Sequence, residues 1–185
     1  MRMEASTGVK SKEKGADMNQ NEPVESSLVF VIEPGIGARP ILFRMTPGDV
    51  RNVLGLEPEW VDTTPIEERK MREDYPEFIG VDYDNNDQVY SVSFSPLGKV
   101  ELRFGSVNLF DDEAGINPIT VFLKADPSPY ESYGFIIFDK IGVAVTGYHD
   151  DDKSQRAITV YKEGTWGLEH AKPISAKELG EFSAT

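Results

Sequence analysis

Phe78-Ile79-Gly80-Val81-Asp82-Tyr83-Asp84-Asn85-Asn86-Asp87-Gln88-Val89-Tyr90-Ser91-Val92-Ser93-Phe94 is the stretch that sets the period of this chain. Residues 78–83 and 89–94 alternate about Asp84-Asn85-Asn86-Asp87, a run of side chains that fold back on their own backbone and favour a hairpin turn. A period of two predicts paired strands with one face buried. Downstream, Leu97-Gly98 turns the chain into a third strand over 100–104. A second set of three follows over 133–138, 142–148 and 157–161, joined by Asp139-Lys140-Ile141 and by the polar stretch 149–156.

Upstream, 27–33 (SLVFVIE) reads as a strand that Pro34-Gly35-Ile36-Gly37 breaks. Helix starts lie between the strands. Thr46-Pro47-Gly48-Asp49 offers a hydroxyl cap, a proline at the first helical position and an acid at the third; Val50, Val53 and Leu54 then form an apolar stripe and Gly55 a stop. Thr64-Pro65-Ile66-Glu67 has capping-box spacing and predicts a helix carrying the polar segment 67–74. Asn117-Pro118 opens a third helix with Ile119, Phe122 and Leu123 on one side, and Ser175-Ala176-Lys177-Glu178 a weaker fourth. Helix then three strands, twice over, predicts an α+β fold: one antiparallel sheet from two helix-plus-three-strand-meander halves, with the helices on one face. The expected organisation is a disordered tail over 1–23, a single domain over 24–170 and a C-terminal extension over 171–185 with a short helix.

Of 185 residues, 32 are Asp or Glu and 19 are Lys or Arg, a net charge of −13. Residues 1–23 and 171–185 each carry equal numbers of acids and bases, so the whole imbalance falls in 24–170. A domain this acidic repels nucleic acid and anionic lipid and attracts a basic protein, although such a charge also serves solubility. There is no cysteine, which excludes disulfides, thiol catalysis and zinc–thiolate sites. The longest apolar run, 28–32, is far short of the ~20 residues of a membrane span. No apolar stretch follows the first basic residues at signal-peptide distance, so a cytoplasmic protein is expected.

Catalytic patterns are weak. Asp82-x-Asp84-x-Asn86 opens like a calcium loop, but Asp87 stands where that loop needs glycine and Ser93 where it needs glutamate. His149-Asp150-Asp151-Asp152 reads as a solvated connection rather than a metal site, and His170 as a surface residue. Neither a phosphate loop nor a G-x-S-x-G elbow occurs. No catalytic residue, metal or cofactor is expected. Binding features are better represented: Trp60, Tyr130, Tyr133, Tyr148 and Trp166 lie near element ends, where amphipathic rings anchor interfaces. Acidic clusters at Asp82, Asp84 and Asp87, at Asp111, Asp112 and Glu113, and at Asp150, Asp151 and Asp152 fall at turns. The partner surface expected from placement alone is these acids with Tyr130, Tyr148 and Trp166.

Pro34-Gly35-Ile36-Gly37, then 41–50 (ILFRMTPGDV) and Leu54-Gly55, resembles the "GxGPxxxGMTxxEVxxxLG" opening of small bacterial immunity proteins of polymorphic toxin systems. Gly80-Val81-Asp82-Tyr83-Asp84 with 89–94, and 133–143 (YGFIIFDKIGV), are similar to two further hairpins of that group. The helix also resembles the repeat of β-lactamase-inhibitor-like proteins, with Arg44 in place of a glycine. The resemblance spans roughly 34–161 and transfers no contact residue. It implies a tandem helix–meander fold that binds and occludes a cognate toxin or effector protein of basic surface, with no nucleic acid and no membrane involved. A cytosolic ligand- or scaffold-binding module unrelated to toxins fits the same residues, and an enzyme using buried carboxylates is the third class.

Overall fold

The computed structural model describes residues 27–111, 113–148, 153–168, 170–175 and 177–179. Along the chain run β1 (Leu28–Glu33), β2 (Gly37–Arg39), β3 (Ile41–Leu42), α1 (Pro47–Leu54), β4 (Trp60–Asp62), β5 (Met71–Tyr75), β6 (Ile79–Tyr83), β7 (Val89–Phe94), β8 (Val100–Phe104) and β9 (Val107–Asn108). There follow α2 (Pro118–Leu123), β10 (Tyr130–Ser132), β11 (Phe135–Phe138), β12 (Val143–Thr146), β13 (Ala157–Tyr161) and β14 (Lys172–Pro173).

The expected α+β fold, one antiparallel sheet of two helix-plus-three-strand halves, is not what forms. The chain is mostly β, in two sheets: five strands in the order β3-β2-β1-β8-β9, and nine in the order β14-β10-β11-β12-β13-β7-β6-β5-β4. Among the described residues the two longer α-helices are only eight and six residues long, and 177–179 are also helical. One cause is competition for the edge of β7. Antiparallel β6 takes one side and antiparallel β13 the other, so β8 leaves the meander and pairs in parallel with β1. A second cause is the segment 67–74. Asp62 Oδ1 accepts from the Thr64 amide at 2.8 Å, Ile66 and Arg69 close a tight reversal through both backbone bonds, and Glu67 sits at φ +52°. The chain returns as β5 rather than as a helix.

β5 alternates between the two faces of the sheet. Glu73 and Tyr75 point inward, Arg72 and Asp74 outward. Fully buried Glu73 accepts from Tyr75 Oη at 2.6 Å and Tyr83 Oη at 2.9 Å, and pairs with Arg51 of α1. Three donors compensate the removal of this carboxylate from water. Burial, ahead of the contact with Glu73, raises the Tyr75 phenol above its ordinary value; burial also raises that of Tyr83, ahead of the neighbouring Tyr75.

α1 forms as its sequence predicts. The Thr46 Oγ1 accepts from the Asp49 amide at 3.3 Å, Asp49 reaches back to the Thr46 amide at 2.9 Å, and Gly55 ends the helix in the left-handed region. α2 is capped by Asn117, which accepts from Ile119 N at 2.9 Å. Arg44, in place of the glycine of the resembling motif, takes φ +71°. Its amide still bonds Val89 O at 2.9 Å, tying the end of β3 to the start of β7.

The core lies between the sheets. Phe30 of β1 meets Phe94 of β7 with ring centroids 4.7 Å apart, and Phe122 of α2 bridges Phe104 and Phe138 at 5.4 Å each. Across the inner face of the large sheet, Tyr75, Ile79, Phe94, Ile158, Val145 and Ile136 are successive cross-strand partners, all buried. Each such side chain contributes about 1.5–3 kcal/mol of transfer free energy. The C-terminal segment joins in: β14 pairs with β10, and Leu179, held by a Ser175–Glu178 capping box, is buried in the core.

Candidate functional site

The outer face of the nine-stranded sheet is built on a different principle. One residue over in register, the cross-strand row reads Asp74, Gly80, Ser93, Thr159, Ala144 and Ile137. Small residues at the centre of a twisted sheet leave a depression, and larger groups on either side become its walls.

On one side, Arg72 of β5 lies across Gly80. A Cβ on Gly80 would come within 1.9 Å of Arg72 Nη2, so this strand position seats the guanidinium only because it is glycine. Arg72 donates from Nε to Asp74 Oδ1 at 2.8 Å, from Nη1 to both Asp82 oxygens at 3.3 Å, and from Nη2 to Ser93 Oγ at 3.1 Å. Arg69 bonds Asp62 at 3.0 Å and stands 3.9 Å from Asp82. Burial lifts the Asp82 carboxyl above the usual carboxylate range against the pull of both arginines. Tyr90 is the extra residue where the β6–β7 register shifts; burial, then Asp82, pushes its phenol up to about 12.

On the other side, residues 162–168 fold back over β11–β13. Trp166 packs on Tyr161 at 5.2 Å and on Phe135 at 5.1 Å between ring centroids, capping a second apolar cluster formed by Ile137, Ala144 and Tyr161. The hairpin joining β10 to β11 turns at Tyr133 and Gly134, both at positive φ, and holds the Tyr133 ring 82% exposed beside His170. A left-handed tyrosine costs about 1 kcal/mol or more, and such strain gathers at functional positions.

Between these walls runs a groove of about 860 Å³, floored by Ser91, Ser93 and Thr159 and walled by Tyr90 and Trp166. A second hollow of about 610 Å³ shares Arg72 and Ser93 with it and runs to exposed Phe78, another non-glycine at positive φ. The outer face is thus a concave surface with aromatic rings at its ends and paired charges at its middle.

Of the residues singled out from sequence, Asp82 and Trp166 line the groove. Asp82 is a strand residue only 9% exposed and already paired with arginine. Asp84 is committed to its own turn, accepting from the Asn86 amide at 2.8 Å and the Gln88 amide at 3.0 Å. Asp87 pairs with Lys70 Nζ at 2.8 Å. Asp111 accepts from the Ala114 amide at 3.0 Å and Glu113 is exposed. These two follow β9, at the opposite edge of the small sheet from the 44–45 backbone, which bonds Val89 just after the 84–88 turn. Tyr130 is half-buried against the second cluster, and Tyr148 is half-buried with the Arg156 guanidinium 5.2 Å from its ring centre. Asp112, Asp150, Asp151, Asp152, His149 and the 1–23 tail lie outside the described residues. The residues that sequence reading passed over, Arg72, Tyr90, Ser132 and Thr159, announce themselves only by strand parity. Among the described residues no helix is long and apolar enough to cross a membrane. No protein-family model, curated protein or solved structure matches the chain.

Proposed function

We propose that this chain is a non-catalytic cytoplasmic inhibitor that binds and occludes a toxic effector protein of basic surface, using the outer face of the nine-stranded sheet. The observation that carries this reading is the groove on that face, where exposed Tyr133 and half-buried Tyr90 and Trp166 surround a hydroxyl floor. Acids Glu67, Glu68 and Asp82 there face a single arginine already engaged by carboxylates. Rigid aromatic anchors hold an interface, and charge complementarity speeds its formation. Trp166 is packed on Tyr161 and Phe135 and Tyr90 sits in β7, which lowers the cost of ordering those rings on binding. The resemblance of 34–161 to immunity proteins points the same way.

Co-expression with the product of the adjacent gene tests the reading. The expected result is a 1:1 complex that survives moderate salt and rescues growth; a harmless neighbour that fails to copurify contradicts it. A second reading is a ligand-binding module, favoured by one observation: the groove volume falls within the ~300–1,000 Å³ of small-molecule sites.

A further inference from the structure

We propose that Phe78 and Tyr133 are twin aromatic anchors, two rings held out from one end of the nine-stranded sheet that enter two separate apolar pockets on the effector. This rests on the inhibitor reading and names what its partner must present. Both rings stand in hairpin turns: Pro76-Glu77-Phe78 joins β5 to β6, and Tyr133-Gly134 joins β10 to β11. Ile79 of β6 and Ile136 of β11 belong to one cross-strand row, through Phe94, Ile158 and Val145, and the two strands run the same way across it. The turns that precede them therefore project from the same end of the sheet. Three strands separate β6 from β11, so four spacings of ~4.8 Å put the turns roughly 20 Å apart.

Two observations carry the assignment. The first is that each turn uses a left-handed residue but neither turn needs a ring there. Phe78 lies at φ +56° after Glu77 at +63°, and Tyr133 lies at φ +50°. Glycine fills such positions without strain, so a bulky aromatic is the costly choice. The β7–β8 turn clasps the first of them. Lys99 N donates to Glu77 Oε2 at 2.5 Å, and Gly98 lies so close that a Cβ there would come within 2.0 Å of Glu77 O. Strained residues persist where their surroundings over-determine them, and they gather at functional positions.

The second observation is exposure. Phe78 is 61% exposed and Tyr133 82%, so neither ring offsets its strain by packing in the core. Leu97, exposed in the clasping turn, adds apolar surface on the Phe78 side. Among the described non-glycine residues at positive φ these two are the aromatics, and both stand at one end. A ring on a constrained backbone is contact area that costs little to order on binding. The occupant is the basic effector rather than a second copy. Two chains of net charge −13 repel each other, and the hollow at Phe78 sets Glu59, Asp74 and Glu77 against Arg72 alone.

Glycine tests this directly, because it relieves the strain and removes the ring in one substitution. Phe78→Gly and Tyr133→Gly should each hold or raise the folding constant of the full chain in denaturant titration. Each should weaken the 1:1 complex with the product of the adjacent gene about thirtyfold by calorimetry, the size of an interface hot spot. The losses should multiply in the double variant, since the turns are too far apart to share a pocket. Val53→Ala, which trims an exposed side chain on α1, should leave the affinity unchanged. A fall in stability in either glycine variant would make that ring structural and overturn the assignment, as would a loss of affinity at only one of the two turns. Self-association of the chain that either glycine abolishes would give the rings to a second copy and overturn the effector's claim. A tight complex indifferent to both glycines sinks the anchors alone, whereas a neighbour that never binds the parent chain sinks the inhibitor reading and the anchors with it.

Discussion

The two faces of the nine-stranded sheet are made from alternate residues of the same strands, and they differ in what they do with charge. The inner face is a continuous surface of Ile, Val, Phe and Tyr that admits one carboxylate, Glu73, and surrounds it with two phenols and an arginine. The outer face thins to Gly80, Ser93 and Thr159 at its centre and spreads arginines and carboxylates over it. Stability is concentrated on the first. The second leaves Tyr90, Ser93 and Thr159 half-buried, and Trp166 covers β11–β13 but not β4–β7.

This contrast is open to substitution experiments. Phe94→Ala on the inner face should cost about 4 kcal/mol of unfolding free energy by denaturant titration, since it opens a cavity opposite Phe30. A loss under about 1 kcal/mol would mean that the sheets do not pack as described. Glu73→Ala strands Arg51, Tyr75 and Tyr83 without their shared acceptor and should cost about 3 kcal/mol. Gly80→Ala sits on the outer side of the same strand; by displacing the Arg72 guanidinium it should cost about 1–2 kcal/mol. Ser93→Ala, one strand over from Gly80, removes the acceptor of Arg72 Nη2 and a long 3.4 Å donation to Gly80 O, and should cost about 0.5–1 kcal/mol.

The pH dependence follows from Asp82. Its folded pKa is raised above the unfolded value near ~3.9, so the native state holds this proton more tightly than the unfolded chain does. The stability it contributes is complete below the unfolded value and is lost as pH rises through the folded one. Asp82→Asn should flatten that fall when stability is compared across the acidic range. An unchanged profile would show that Arg72 and Arg69 balance burial at this carboxyl, and a steeper fall that they outweigh it.

Much of the strand pattern was legible because burial on one face writes itself into the sequence every second residue, as in 79–83 and 89–94. The cap at Thr46 and the stop at Gly55 were legible because helix ends demand particular side chains. The sheet architecture was not. Nothing local in Val100–Phe104 says that β13 has occupied the edge of β7 and that β8 must pair with distant β1. Residues 67–74 misled because a run of charged side chains reads as a helix surface, while here alternate charges are spent on Glu73 inside and Arg72 outside. The acidic turns drew notice through exposure expected from composition, yet Asp84 and Asp87 are bound to their own hairpin and to Lys70. The groove is invisible in one dimension: it joins Glu68, Tyr90, Ser132 and Trp166 across four separate segments.

The central claim, that the outer face is where a partner docks, is tested most directly by amide hydrogen exchange on the full chain alone and in complex with the copurified neighbour. The account predicts new protection in residues 66–72, 90–93 and 132–135 and around Trp166, with the 84–88 turn and Asp111 unchanged. Protection confined to those acidic turns, or to the five-stranded sheet, would contradict it.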